Sequence, residues 1–329
     1  MKVSIAMATY NGARYLQEQL DSFIAQTRQP DELVVNDDCS TDATIEILEA
    51  FASSAPFNVF VHRNDRNYGY CGNFNHALLR CSGDLVFLSD QDDVWFAEKI
   101  ERLVESTVEH PEVLVVMNDA ALTHGDLSET GLTKLGQIKS AGLKPASFVM
   151  GCCAAVKRDL LDLCLPIPDE FPAHDGWIVG IADGMGRKWV SAEVLQLYRR
   201  HGDNTSQFIA NRTSRVTKWD VAVSKLKNQM MRLLGKKKDE DRSKANGNSP
   251  AALILEWAQD TLNSTPGAYE QDLRRLIQRM TDQGNALERR DTIRSSPLPH
   301  RLRGVMAASR DGTYRAFSGW KSALRDLVG

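Results

Sequence analysis

Asp90, Asp92 and Asp93 place three carboxylates within four positions, directly after the apolar run Leu85–Leu88. Ser82-Gly83 bounds that run on its N-terminal side, and a short apolar run between turn residues reads as a strand buried on both faces. Acids this close repel one another and need a cationic partner. At the carboxyl end of a parallel strand that partner is commonly a divalent metal holding a phosphate. A solvated acidic turn capping the next helix is the plainer alternative. A second acidic cluster, Asn36-Asp37-Asp38-Cys39-Ser40-Thr41-Asp42, closes another apolar run, Leu33-Val34-Val35.

The elements that would position these acids alternate. Val3–Met7 reads as a strand with Thr9-Tyr10-Asn11-Gly12 as its exit loop, and Tyr15–Ala25 as a helix with Leu16, Leu20, Phe23 and Ile24 on one face. Leu33–Val35 is the next strand, and Ser40 or Thr41 is placed to cap the helix carrying Ile45, Leu48 and Phe51. Asn58–His62 is a third strand, Asn67-Tyr68-Gly69 a turn, and Asn75–Arg80 a helix before the strand at Leu85. The alternation predicts an α/β chain with a doubly wound, mostly parallel, Rossmann-like sheet. Ligands of such sheets gather at the carboxyl ends of the strands, so the two acidic loops are candidates for one site.

Two phosphate-binding motifs are missing. Ala8-Thr9-Tyr10-Asn11-Gly12 lacks the Gly-x-Gly-x-x-Gly of a dinucleotide fold, and no Gly-x-x-x-x-Gly-Lys-Ser/Thr is found. That leaves a metal to neutralise a diphosphate. A receiver-type phosphoacceptor also uses clustered acids and Mg²⁺, but places its acidic pair after the first strand and is much shorter. A pseudoenzyme or pure carbohydrate-binding module is the third reading, which intact acids at both loops disfavour.

The 329 residues are 42% hydrophobic and 25% charged, ordinary for a globular protein, with no run of 18 uncharged apolar residues to span a membrane. The chain opens on Lys2-Val3-Ser4-Ile5 without the long apolar segment of a signal peptide, and a cytoplasmic location is expected. The six cysteines form no Cys-x-x-Cys pair, which reads as reduced thiols. Net charge is −3 but uneven: Arg212–Lys244 holds eleven Lys or Arg against four Asp or Glu. From Glu288 onward nine basic residues face four acidic ones. Such stretches suggest an anionic surface as neighbour, or simply a solvated face.

Together, Ala8–Gly12, Val35–Asp42 and Leu88-Ser89-Asp90-Gln91-Asp92-Asp93-Val94-Trp95 resemble the three signatures of family 2 glycosyltransferases. The last string most resembles the rhamnosyltransferase-like branch that builds bacterial surface polysaccharides. The resemblance continues through Phe148–Cys153, His174-Asp175-Gly176-Trp177 and Tyr198–Asn204, covering roughly residues 2–206. It implies a GT-A fold, inversion at the anomeric carbon, a nucleoside-diphosphate sugar donor and Mg²⁺ or Mn²⁺. The implied donor-binding set is Ala8, Thr9, Tyr10, Asn11, Asp37, Asn67 and Asp90, with Asp37 accepting from the N3–H of uracil or thymine. Asp92 is implied as metal ligand, His201 as metal or phosphate contact, Asp175 as general base and His174 as a positioning or packing residue. The acceptor is expected to be a saccharide or lipid-linked saccharide, and no nucleic acid.

Two departures stand out. Many members carry an Arg near the diphosphate where this chain has Asn73-Phe74-Asn75; the rhamnosyltransferase-like branch often has Asn-Phe there, so the resemblance leaves open only the source of phosphate compensation. Cys39 stands where Gly is usual, in a turn whose angles Gly tolerates better.

The expected catalytic domain is 1–208, with the nucleotide-sugar part to about 110 and the acceptor part after it. In the acceptor part, Val113–Met117 and Phe148–Val156 read as strands, and Thr123–Lys144 as a long loop. Asp175 opens a helix, where the dipole favours negative charge, and Tyr198-Arg199-Arg200-His201 ends a strand from Val194. Residues 209–329 read as a helical extension with a linker at 236–249 and helices near 253–262, 269–287 and 317–327. Val216, Trp219, Val223, Leu226, Met230 and Leu233 follow an a/d spacing. That seam would pack on the catalytic domain, form a homodimer or lie on the inner membrane face.

Overall fold

The computed structural model describes residues 1–144, 147–202, 204, 206, 208–224, 249–264, 267–317 and 319–328, without the side chains of 315 and 316. The chain divides into two compact units, Met1–Asn248 and Ser249–Gly329.

In the first unit β1 (Val3–Thr9), β2 (Glu32–Asp37), β3 (Asn58–Arg63) and β4 (Leu85–Ser89) alternate with α1 (Ala13–Ile24), α2 (Thr44–Ser54) and α3 (Gly69–Arg80). These four strands are parallel in the order β3-β2-β1-β4. Leu33, Val34 and Val35 of β2 and Leu85, Val86 and Phe87 of β4 are buried on both faces, which is why these two strands lack the alternation of a half-exposed sheet. α1 buries Tyr15, Leu16, Leu20 and Phe23 against them. The shared register sets Thr9 beside Asp37 and Met7 beside Ser89, so both acidic loops leave the same sheet edge.

The acceptor half is mixed. β5 (Val94–Trp95) and α4 (Lys99–Glu109) precede β6 (Val115–His124). β8 (Ala154–Lys157) lies antiparallel between β4 and β6, while β9 (Lys188–Arg200) runs parallel to β6 and pairs antiparallel with β5. β9 starts earlier, at Lys188, than the Val194 start expected, and its end carries Arg199 and His201 back to the Asp90–Asp93 loop. The segment 123–144 is not the long loop expected. It folds as β7 (Glu129–Thr133), which pairs with β6, and α5 (Lys134–Ser140), whose Thr133 cap accepts from Gly136 N. Phe148–Val156 begins with a 3-10 turn, Gly151–Cys153, before the strand, and α6 (Arg158–Cys164) and α7 (His174–Met185) complete the half.

Neither Ser40 nor Thr41 caps α2, which begins later. Asp42 Oδ1 accepts from Thr44 N there, and Ser40 is drawn to Asp37 instead. Cys39 adopts φ 66°, so a side chain does occupy the left-handed turn that favours glycine. Residues 209–224 belong with the first unit, later than the 208 boundary expected. Gln137 of α5 bonds the backbone of Arg212, Ser214 and Val216, and Val216 is buried there while Trp219 and Val223 are exposed. Leu226, Met230 and Leu233, and nearly all of the 236–249 linker, lie outside the described residues.

The second unit comprises α8 (Pro250–Ser264), α9 (Glu270–Ser295), α10 (Leu298–Arg310) and α11 (Trp320–Val328). Where three helices were expected, α10 is the added one. Its Pro299 sits in the first turn, where a missing N–H breaks no helical bond. Ile293, Val305, Ala308 and Tyr314 form a small core. Burial pushes the Asp326 carboxyl up, but hydrogen bonds from Arg290 and Arg294 outweigh it and hold the group below its ordinary value. Among the described residues no helix is long and apolar enough to cross a membrane.

Candidate active site

The exit loop of β1 is held from two sides. Tyr10 N donates to Gln91 Oε1 at 2.9 Å, and Gln91 Nε2 donates to Tyr10 O at 3.1 Å, so the middle residue of Asp90-Gln91-Asp92 clamps the first loop. A Cβ on Gly12 would lie 2.2 Å from Gln91 Oε1, which makes glycine the residue that permits this approach. Asn11, at φ 48°, bridges to the second loop: its N donates to Ser40 Oγ and its Oδ1 accepts from Thr41 N. Ala8 is half-buried and Tyr10 half-exposed at the edge. Asn67 is exposed and builds its own turn, accepting from Gly69 N.

Asp37 lies elsewhere than the resemblance implied. It is fully buried, Oδ1 accepting from Thr9 Oγ1 and Ser40 Oγ and Oδ2 from Ser40 N. Its carboxylate, with Thr9, thus ties the loop together and is not presented to a ligand. On its neighbour Asp38, Oδ1 accepts from Asn64 Nδ2 and Tyr68 N, and Oδ2 accepts from none of the described residues.

The three clustered carboxylates take three environments. Asp93 is fully buried, accepting from Gln196 Nε2 at 3.0 Å and Arg199 N at 3.2 Å. Burial and the charges of Asp92 and Asp90 push its carboxyl well above the ordinary range. Half-buried Asp90 is pushed up to about 7 by burial and by the charges of Asp92 and Asp175. Beneath them Lys99 is fully buried, donating to Cys152 O at 2.7 Å and Gln196 Oε1 at 2.5 Å, with Nζ 3.8 Å from the Trp95 ring centroid. Burial pulls it down to about 8, against the pull of the cysteines and acids around it. This buried lysine is the cation that the clustered acids demanded; its helical position gives no hint of it.

Asp92 differs. Its Oδ2 lies 2.7 Å from His201 Nε2 and 3.2 Å from Asn204 Nδ2. Two cis ligands of an octahedral ion at about 2.1 Å stand about 3 Å apart, so this oxygen–nitrogen pair suits Mg²⁺ or Mn²⁺ after a small opening. Asp90, Asp93 and Cys152 also converge, their ligand atoms lying within 4.8 Å of one another. That trio fits a hard cation poorly, since burial keeps the Cys152 thiol protonated and Asp93 is committed to Gln196 and Arg199. Arg199 fixes the loop from behind: it donates to Asp92 O and Gly125 O, and pairs with Glu18.

Asp175 sits in the first turn of α7, with Oδ1 accepting from Gly176 N at 2.7 Å. Its charge helps to raise the carboxyl of Asp90, the hydroxyl of Tyr70 and the thiol of Cys71, so it lies near the acidic loop. His174 packs: its ring stacks on Phe74 at 3.8 Å, is 6% exposed, and has no hydrogen-bond partner on either nitrogen. Burial lowers its pKa, with the Asp175 charge acting the other way. Gln91, Lys99, Arg199 and Asn204 belong to the site but not to the expected set. Gln91 had a signal in its place between two acids, and Arg199 and Asn204 in the Tyr198–Asn204 motif, while Lys99 had none.

The model of "Glycosyl transferase family 2" matches residues 4–164. An uncharacterized glycosyltransferase of Nostoc sp. is 31% identical over 229 residues, covering 65% of this chain and 69% of the relative. The dTDP-rhamnosyl transferase RfbG of Shigella flexneri is 34% identical over 218 residues, 60% of this chain and 72% of that protein. Among solved structures, S. aureus TarS 1-349 in complex with UDP-GlcNAc aligns with TM-score 0.55 and 16% identity, over 99% of this chain and 89% of TarS. That likeness concerns the fold. The parallel edge with its two acidic loops, the Asp92–His201 pair and the two relatives converge: this chain belongs to glycosyltransferase family 2.

Proposed function

We propose that the protein is an inverting, metal-dependent glycosyltransferase moving rhamnose from a thymidine-diphosphate donor, with a uridine-diphosphate hexose as the second choice of donor. The carrying observation is the 2.7 Å approach of Asp92 Oδ2 and His201 Nε2 at the sheet edge, a carboxylate–imidazole pair placed to hold a divalent ion. The likeness to RfbG favours rhamnose. Intact Asp92, His201 and Asp175 favour an active enzyme over a silent binding protein.

Asp92 and His201 would hold the ion. When bound, Mg²⁺ or Mn²⁺ supplies positive charge to the departing diphosphate. Asp175 takes the proton of the acceptor hydroxyl as that oxygen bonds to the anomeric carbon. The bond from that carbon to the diphosphate oxygen breaks, and the nucleoside diphosphate leaves with the electron pair. Asp90 faces the ribose or sugar, while Ala8, Tyr10 and Asn67 border the base. Because both Asp37 oxygens are engaged, the N3–H of the base falls to Asp38 Oδ2. The test is transfer from a panel of thymidine-, uridine- and guanosine-diphosphate sugars, with and without Mn²⁺. Turnover with no sugar nucleotide, or full turnover in EDTA, would overturn the reading.

The acceptor in this reading is a growing surface polysaccharide or a lipid-linked saccharide at the inner membrane face. Leu298, Leu302 and Met306 form an exposed stripe on α10, and Trp320, Leu324 and Val328 another on α11. In the last 32 residues the acids are Asp311, paired with Arg289, and Asp326, buried with Arg290 and Arg294. The remaining exposed charges there are basic, among them Arg303, Arg310, Lys321 and Arg325. Apolar stripes among basic residues suit peripheral binding to an anionic bilayer. A homodimer contact through the helical region is the competing use.

A further inference from the structure

The helix that carries Asp175 starts without a capping side chain. The first N–H groups of any helix lack partners within it, and a Ser, Thr, Asp or Asn before the first turn usually supplies one. Before α7 that position is Ala173, whose methyl group can accept nothing, and Asp175 Oδ1 accepts from Gly176 N instead. Trp177 Nε1 donates to Cys164 O at 2.8 Å and secures the helix one residue past Gly176. The residues just before Asp175 need a hold from outside α7.

α3 supplies it. The Tyr70 hydroxyl donates to Pro172 O at 2.5 Å, three residues before Asp175. One helical turn on, and so on the same face of α3, the Phe74 ring stacks on His174 with centroids 3.8 Å apart and planes at 25°. Asn75 Oδ1 accepts from Ile167 N at 2.9 Å, further back along the same connection. Gly151 also lies against the imidazole: a Cβ there would come within 2.6 Å of His174 Nε2. Burial and the charges of Asp175 and Cys71 raise the Tyr70 hydroxyl above its ordinary value, so it keeps its proton and remains a donor. The same helix reaches the donor loops. Asn73 Nδ2 donates to Thr9 O at 3.1 Å, and Asn73 Oδ1 accepts from Asn36 Nδ2 at 2.8 Å. α3 thus ties the exits of β1 and β2 to the segment that presents Asp175.

We propose that Tyr70 is a positioning residue for Asp175, acting through the Pro172 carbonyl, and that α3 sets where this carboxylate stands relative to the donor edge. That Asp175 takes a proton rests on the glycosyl-transfer reading; that Tyr70 fixes its place does not. Misplacing a reacting group by about 1 Å can cost about 10²-fold in rate, so one hydrogen bond three residues away is enough to matter.

The experiment compares full-length wild type, Tyr70→Phe, Asp175→Asn and the double variant. Tyr70→Phe keeps the ring and removes only the hydroxyl. Hydrogen exchange is followed in peptides covering residues 172–178. Nucleoside-diphosphate release from thymidine-diphosphate rhamnose, with water as acceptor, gives kcat and donor KM. In Tyr70→Phe, exchange over 172–178 should quicken about threefold or more, the measure of one lost hydrogen bond. Its kcat should fall about tenfold while donor KM stays within about twofold. In the Asp175→Asn background the same change should lower kcat no further, because the group it positions is gone. Wild-type exchange and wild-type kcat in Tyr70→Phe would overturn the proposal. A further tenfold loss in the double variant would do the same, since Tyr70 would then act by a route other than Asp175. Faster exchange in Tyr70→Phe with full turnover in Asp175→Asn would keep Tyr70 as the brace and sink the general-base reading.

Discussion

Asp92 Oδ2 and His201 Nε2 meet at 2.7 Å although 109 positions separate them in the chain. The meeting is built by the sheet. β5 follows the acidic loop and pairs with β9, and Arg199 then bonds the Asp92 carbonyl two residues before His201. The contact thus depends on Arg199 as much as on its own two partners. Loss of the arginine would leave the Asp92 carbonyl, the Gly125 carbonyl and Glu18 without their shared donor.

Asp175→Asn should lower kcat by about 10²–10⁴-fold, the usual worth of general-base assistance, while donor KM stays within about twofold. Steady-state kinetics with donor and acceptor varied separately checks this. A rise in donor KM with kcat preserved would move Asp175 to the donor site.

Gly12→Ala should raise donor KM by about tenfold, because its Cβ displaces the Gln91 amide from Tyr10 and frees the first loop. In a Gln91→Ala background the same change should have little further effect, since the clamp is already gone. Additive losses in the double variant would contradict the clamp.

Much of the parallel edge was legible because its strands are buried on both faces. Runs such as Val3–Met7 and Leu85–Leu88 announce themselves, and acids immediately after them must lie at the carboxyl edge. The acceptor half was not, for physical reasons. β7 and α5 are short and polar, and Thr130, Thr133 and Asp119 supply the bonds that order them, which periodicity does not reveal. Asp37 and Asp38 are adjacent and chemically identical; only Thr9 and Ser40 closing on the first distinguishes them. Lys99 sits in a helix like any surface lysine, and its burial is decided by Trp95, Cys152 and Gln196, far apart in sequence.

Asp90 makes the ligand-free protein pH-dependent. Its carboxyl is about 7 in the folded chain against 3.8 ordinarily, so between those values the native state holds the extra proton. Stability therefore falls as pH rises from about 4 to 7, and the loss is complete above 7. Asp90→Asn removes the burden. At pH 8 the variant should melt at least about 2 °C above wild type, and at pH 5 the gap should shrink. Equal gaps at both pH values, or a variant less stable at pH 8, would contradict the burial of this charge.

Full-length protein should co-sediment with anionic vesicles at low salt and release as salt rises, since basic residues near such a surface contribute about 1 kcal/mol each. Trp320→Ser with Leu324→Ser should reduce the bound fraction severalfold without changing transfer to a soluble acceptor. Equal pelleting on neutral and anionic lipid, or none at low salt, would remove the membrane component. Light scattering on the same protein would then test the homodimer.

The central claim is a metal centre on Asp92 and His201, and Mn²⁺ binding followed by electron paramagnetic resonance tests it most directly. Wild type with a nucleoside diphosphate should bind one ion per chain. Asp92→Asn should lose that signal together with sugar transfer, and His201→Ala should weaken both by about 10-fold or more. One Mn²⁺ bound equally well by Asp92→Asn, or transfer by that variant at the wild-type rate, would contradict the account.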